Sequence, residues 1–151
     1  MTANIRMAEI TAAIAEVSIA GLTIYDIGAA PDQFDGRTAV LFPDSAGLIT
    51  ELTITDATTG AYNAAKDMAY KLNYLFAYKN REAGRRLGEY TAAMATLAAT
   101  IIETLSTTNF TGAGAVSFNV SCPFLGQIED PAGNVFHGGK FIFDIIEFIQ
   151  G

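Results

Sequence analysis

The most reactive side chains in this chain are one histidine, one cysteine and an adjacent pair of arginines. His137 lies in a glycine-rich stretch, FHGG, that is typical of a hairpin loop. A catalytic base needs a partner that orients it and a pocket that it serves, and no motif here supplies either. Cys122 has no second cysteine for an internal disulfide, and one histidine with one cysteine falls short of the usual zinc ligand set. We therefore expect no enzymatic activity, no bound metal and no cofactor.

Three further motifs have ordinary structural explanations. The segment TGAGA at 111–115 has the glycines of a phosphate-binding loop, but it follows a predicted helix and precedes a strand, which is the reverse of the required order. Asp32 and Asp35 lie in a loop, where turn formation accounts for both carboxylates. Arg85 and Arg86 lie on a predicted amphipathic helix, where the usual role is solvation and the functional alternative is docking to an acidic partner.

The composition is that of an acidic globular protein of 151 residues, half of them apolar and 11% aromatic. A net charge of −7 disfavours binding to nucleic acid through counterion release, although acidic walls would let DNA slide through a channel. No N-terminal segment has the layout of a secretory signal, and no apolar run approaches the roughly 20 residues of a membrane helix. We expect residues 1–151 to form one domain in the cytoplasm, without membrane contact.

Apolar periodicity predicts the elements that would position these residues. Met7, Ile10 and Ile14 recur at helical spacing, whereas large residues alternate with smaller ones from 67 to 79 at the period of a strand. The predicted helices are 3–20 and 81–106, and the predicted strands are 22–25, 39–42, 48–55, 67–79, 116–124 and 140–149, with a linker at 126–139. This order predicts an α+β fold: a two-layer sandwich of a mostly antiparallel sheet covered by an N-terminal helix and one long central helix, the last two strands forming a hairpin.

The final strand is apolar on both faces. One face carries Phe141, Phe143, Ile145 and Ile149, and the other carries Ile142, Ile146 and Phe148. An antiparallel sheet with one solvated side should present polar residues there. Either loops of the same chain cover the outer face, or another subunit covers it.

The element order and two short segments resemble the tail terminator proteins of long-tailed bacteriophages. The segments are DGRTAV at 35–40 and FIFDIIEF at 141–148, and the likeness extends over nearly the whole chain. The resemblance implies a structural virion protein that forms a six-membered ring on the tail tube, stops its polymerisation and joins it to the head connector. DNA would pass through the lumen without sequence-specific binding, and the virion would assemble in the cytoplasm of the bacterial host.

This resemblance implies interfaces with sister subunits, the tail tube protein and the neck connector. We expect the outer face of the last strand, with Ile142, Ile146 and Phe148, to pack against a neighbour or the tube, and Arg85 and Arg86 to be a second candidate contact. The predicted loops at 26–38, 56–66 and 126–139 are candidates for contacts with tube and connector.

Two alternatives stay open at this point. Another neck component, such as a head-completion or stopper protein, belongs to the same assembly, but a stopper is expected to be smaller and richer in strands than this chain. A small-molecule-binding α+β domain would need a concave apolar pocket with a few converging polar groups. Lys71, Asn73 and Leu75 lie on one face of a predicted strand and could line such a pocket.

Overall fold

A mixed sheet of six strands carries two helices on one of its faces in the computed structural model, which describes residues 6–28, 39–56, 66–80, 87–113, 115–129 and 132–149. The helices are α1 (Met7–Ala15) and α2 (Leu87–Thr107), and the strands are β1 (Leu22–Ile24), β2 (Ala39–Pro43), β3 (Ile49–Asp56), β4 (Lys66–Asn80), β5 (Ala115–Glu129) and β6 (Val135–Ile149). The predicted α+β fold, with a mostly antiparallel sheet, is therefore confirmed.

Strand β4 organises the sheet, whose order is β1-β2-β4-β6-β5 with β3 also paired to β4. Strand β6 occupies one side of β4 along nearly its whole length. Strands β2 and β3 share the other side, with β2 beside residues 74–77 and β3 beside residues 66–72. All of these pairs are antiparallel, and only the short β1 runs parallel to its partner β2.

Strands β2 and β3 run in the same direction along β4 and behave as one strand interrupted by a turn. Asp44 forms the turn, because its Oδ1 accepts a hydrogen bond from Ala46 N at 3.0 Å and its carbonyl accepts one from Gly47 N. Asn73 of β4 fills the interruption, since its Nδ2 donates to Gly47 O at 3.0 Å and to Thr50 Oγ1 at 3.1 Å. The turn thus keeps both strands in register with β4.

The main hydrophobic core lies between the helices and one face of the sheet. Alternation along β4 places Tyr70, Leu72, Tyr74 and Phe76 in this core, opposite Phe141, Phe143 and Ile145 of β6. The helices contribute Ile10 and Ile14 of α1, and Met94, Ala98, Ile101 and Leu105 of α2. Both helices therefore cover the same face, as expected from their single apolar stripes.

A second, smaller core covers one end of the opposite face. It consists of Val40, Phe42, Leu75, Ala77, Ile128 and Phe136, with Tyr25 packed against it. Strand β2 is consequently buried on both faces, which explains its unbroken apolar sequence. The far end of the β5–β6 hairpin supplies the remaining cover, through Ile128 and Phe136.

Two glycines allow the strands to approach closely where the hairpin meets the second core. A Cβ at Gly138 would lie 1.8 Å from the carbonyl oxygen of Phe76, and one at Gly139 would lie 2.3 Å from the carbonyl oxygen of Phe124. The ladder between β4 and β6 also shifts register here, between Ala77 and Lys79. These glycines therefore serve strand packing and do not form a loop.

The structure corrects several predicted boundaries. The 126–139 linker is wrong, because strands continue to Glu129 and resume at Val135. The helix predicted at 3–20 is too long, because α1 ends at Ala15. Gly21, with φ of 77°, lies in a turn in which Leu22 N donates to Ile19 O. The strand predicted at 116–124 extends over Ala115–Glu129, and a bulge between Ser121 and Phe124 leaves Phe124 45% exposed.

Candidate functional site

The part of the sheet's second face that lies away from the second core is the candidate site, and we call it the open face. Its residues are Ala69, Lys71, Ser117, Asn119, Ile142, Asp144, Ile146 and Phe148. Strand register places Ala69, Ile146 and Ser117 in one row, and Lys71, Asp144 and Asn119 in the next. The open face therefore spans β4, β6 and β5, three adjacent strands.

The three apolar residues predicted for an interface all lie on this open face. Ile142 and Ile146 are half-buried, and Phe148 is 49% exposed. Their neighbours in β6, Phe143 and Ile145, point to the main core and are almost fully buried. The predicted division of β6 into two apolar faces is thus correct, and the outer one stays accessible to solvent.

An ion-pair cluster lies at the centre of the open face. Lys71 Nζ is 2.9 Å from Glu51 Oε2 and 3.8 Å from Asp144 Oδ1. The hydrogen bond that Lys71 donates to Glu51, the charge of Glu51 and then the charge of Asp144 raise the pKa of Lys71. Lys71 therefore remains a cation that two carboxylates already neutralise, and it does not provide a free amine for nucleophilic chemistry.

A shallow depression of about 300 Å³ surrounds this cluster and is lined in part by Lys71, Ser117 and Asn119. Pockets that bind small molecules enclose most of the ligand surface and are lined mainly by apolar side chains. Of the three residues predicted to line a pocket, only Lys71 is present here. Asn73 is bonded to the turn before β3, and Leu75 is buried in the second core.

A second group of exposed apolar side chains lies on two strands at opposite borders of the sheet. Leu52 and Ile54 of β3 are 53% and 50% exposed, and Phe124 and Leu125 of β5 are 45% and 37% exposed. Sequence periodicity did not identify these residues. Leu52 and Ile54 lie at the register shift between Thr50 and Thr53. Phe124 and Leu125 follow the register shift between Ser121 and Phe124. Such bulges cannot be detected from the pattern of apolar residues in the sequence.

A buried carboxylate connects the beginning of α1 to the last strand. Glu147 is 2% exposed and occupies the core-facing side of β6, in phase with Phe143 and Ile145. Its Oε2 accepts a 2.5 Å hydrogen bond from Tyr70 Oη, and its Oε1 accepts a 2.7 Å hydrogen bond from Arg6 N. The period-two pattern of the last strand could have identified Glu147, because it puts this residue on the same face as Phe143 and Ile145. A carboxylate on a buried face needs hydrogen-bond partners.

The reactive residues singled out from the sequence do not come together. His137 is 4% exposed and lies on β6, so its predicted location in a loop is wrong. Cys122 is half-buried against the main core, its thiol donates to Phe124 O at 3.4 Å, and burial raises the pKa of the thiol. Arg85 and Arg86 lie outside the described residues, as do most of the predicted loops at 26–38 and 56–66.

Within the described part of the chain, histidine, cysteine, aspartate and glutamate form no group of three that could hold a metal ion. Neither described helix is long and apolar enough to cross a membrane. No protein-family model matches this chain, and a comparison with curated proteins finds no significant match.

Proposed function

We propose that this chain is a structural virion protein, a tail terminator that forms a ring, caps the tail tube of a long-tailed bacteriophage and joins it to the head connector. The observation that carries the proposal is the open face, where Ile142, Ile146 and Phe148 remain accessible on one side of a sheet whose other side is covered by helices. Accessible apolar side chains grouped on one face of a sheet are a feature of interaction sites on folded proteins.

The composition of the open face suits contact with another protein. Its apolar side chains surround an ion pair that is already formed within the chain, between Lys71 and Glu51 with Asp144 nearby. On burial against a partner the Lys71 cation keeps Glu51 as its counterion, but the three groups together carry one excess negative charge. The face thus combines apolar contact area with one excess negative charge, which a polar or cationic group of the partner would meet.

The overall charge is compatible with the passage of DNA through a ring. At a net charge of −7 each subunit repels phosphate on average, so a ring of such subunits would bind DNA weakly. DNA would therefore move through the ring without adhering to it. This supports a role in which the protein surrounds nucleic acid and does not recognise its sequence.

The test is electron microscopy of tails assembled with Ile146→Asp, a variant that puts a charge in the middle of the open face. We expect tails of uncontrolled length, with an unchanged circular dichroism spectrum for the isolated chain. Ala95→Asp is the matched control, because Ala95 is exposed on α2 on the other side of the molecule, and it should preserve tail length.

Two results contradict this proposal. Tails of normal length capped by the Ile146→Asp protein would show that the open face is not required. Tails of normal length that fail to join heads would instead favour the alternative of a head-completion or stopper protein. Should Ile146→Asp unfold, Phe148→Ser repeats the test at a side chain that is 49% exposed.

A further inference from the structure

Within the described residues, the outer sides of the two long edge strands, β3 and β5, are unpaired. Strand β5 pairs only with β6, and β3 pairs only with β4, among the residues that the structure describes. Since β6 lies on one side of β4 and β3 on the other, the two free edges are at opposite borders of the sheet. A strand with a free edge presents N–H and C=O groups that can pair with a strand of another chain.

Both edges carry the exposed apolar side chains described above. Of the five large apolar residues exposed in the described part of the chain, four lie on these two strands: Leu52, Ile54, Phe124 and Leu125. The fifth, Phe148, belongs to the open face. Apolar exposure is therefore concentrated where strand pairing is also available.

The charge distribution favours a second copy of the same chain as the partner. Proteins protect edge strands from self-association with charged residues, prolines and bulges; β5 has no charged residue from position 115 to 128, and after Pro123 and its bulge the stretch 124–128 has no proline either. Strand β3 has two acidic residues: Glu51 is neutralised by Lys71 at 2.9 Å, and Asp56 ends the strand opposite Lys66 in the register. Two copies that each have a net charge of −7 repel one another least along these two borders, where charged residues are absent from β5 up to position 128 and face lysines of β4 on β3.

We propose that subunits join edge to edge, with the outer side of β5 in one copy pairing with the outer side of β3 in the next. A cyclic ring requires this kind of heterologous contact between two different patches. Rotation about a ring axis parallel to the strands preserves strand direction. Because β3 and β6 both run antiparallel to β4, and β5 runs antiparallel to β6, the new pair is antiparallel. This inference rests on the proposed ring and specifies how it closes.

Cysteine cross-linking tests the contact, because directly opposed residues of an antiparallel pair have Cα atoms about 4.5–5.5 Å apart, within the range of a disulfide. The background is Cys122→Ser, which removes the only native cysteine. Ile54→Cys is combined with Leu125→Cys or with Gln127→Cys, and the full-length proteins are oxidised after assembly on tail tubes. We expect a ladder of covalent oligomers that ends at a closed ring for at least one double variant, and no cross-linking for the single variants.

Other outcomes overturn the inference. Covalent dimers from Leu125→Cys alone would indicate a two-fold contact between two β5 strands, which cannot build a ring. An assembled ring that none of the variants cross-links would show that subunits meet elsewhere, while the proposed function stands. Absence of any oligomer on tail tubes, measured by the mass of the assembled protein, would instead overturn the proposed function itself.

Discussion

Tyr70 and Glu147 form a buried hydrogen-bonded pair across neighbouring strands, with 2.5 Å between the phenol oxygen and the carboxylate oxygen. The same carboxylate accepts a hydrogen bond from Arg6 N, just before α1. The pair therefore ties the N-terminal helix to the last strand of the chain. A buried carboxylate is retained in a folded protein only where such partners satisfy it.

Removing either partner should destabilise the fold. Tyr70→Phe leaves the Glu147 carboxylate with one fewer donor in a buried site, so we expect a loss of about 1–3 kcal/mol in the free energy of unfolding. Glu147→Gln should cost a similar amount. Urea denaturation measures both, with Glu103→Gln, at an exposed position of α2, as the control. Additive losses in the double variant would contradict a direct interaction between the two side chains.

Replacing Tyr74 with phenylalanine should not destabilise the protein, in contrast to the same replacement at Tyr70. Its hydroxyl is fully buried and has no hydrogen-bond partner among the described residues. An unsatisfied buried hydroxyl costs about 1–3 kcal/mol, so Tyr74→Phe should leave stability unchanged or increase it. The comparison of Tyr74→Phe with Tyr70→Phe in urea isolates the hydrogen bond, since both changes remove one oxygen from the same strand. A loss of stability in Tyr74→Phe would refute this interpretation.

Stability should fall at alkaline pH because of the same two tyrosines. Burial, followed by the hydrogen bond and charge of Glu147, raises the pKa of Tyr70, and burial followed by the charge of Asp26 raises the pKa of Tyr74. Above pH of about 10 the unfolded chain releases these protons while the native chain keeps them. The free energy of unfolding therefore keeps its full value below pH of about 10. Above that pH it decreases by about 1.4 kcal/mol per pH unit for each tyrosine. Urea titrations from pH 8 to 11 test this, and a double Phe variant at both positions should lose most of the slope.

Gly138 should be intolerant of any side chain. A Cβ there would lie 1.8 Å from the carbonyl oxygen of Phe76, so the ladder between β4 and β6 would have to separate. We expect Gly138→Ala to cost about 3 kcal/mol or more, or to prevent soluble expression. Gly47→Ala is the control, because no atom lies within 4 Å of its Cβ position. Equal stability of the two variants in urea would contradict the close approach of the strands.

Local patterns were sufficient for the strongest elements and insufficient where distant strands determine the structure. The alternation around Tyr70 and the stripe through Met94 and Ile101 are dominated by burial, so β4 and α2 follow from their own sequence. The glycines at 138 and 139 suggested a loop, yet they are required by strands far away in the sequence. The need for glycine at these two positions depends on which strands become neighbours in the sheet. The parallel pairing of β1 with β2 depends on the same information, which a local pattern does not contain.

The open face was only partly predictable, because its apolar residues follow a local pattern whereas its ion pair depends on strand pairing. Period-two alternation alone separates Ile142 and Ile146 from Phe141 and Phe143, because adjacent residues of a strand point to opposite faces. The pairing of Lys71 with Glu51 and Asp144 depends on strand register, which the pattern does not contain. The sequence therefore predicted the apolar residues of the site and not the ion pair at its centre.

Two phenylalanines of β6 provide a direct test of the face assignment. Phe143 is fully buried and packs edge-on against Tyr74, with ring centroids 4.7 Å apart, whereas Phe148 is 49% exposed on the open face. Phe143→Ala should therefore cost about 3–5 kcal/mol, as truncation of a buried aromatic side chain does, and Phe148→Ala should change stability by about 0.5 kcal/mol or less. Urea denaturation measures both free energies in one chain. If the open face is a binding surface, Phe148→Ala also weakens assembly on tail tubes while its monomer stays as stable as the parent. A large loss of monomer stability in Phe148→Ala would instead place this side chain in the interior and remove it from the proposed interface.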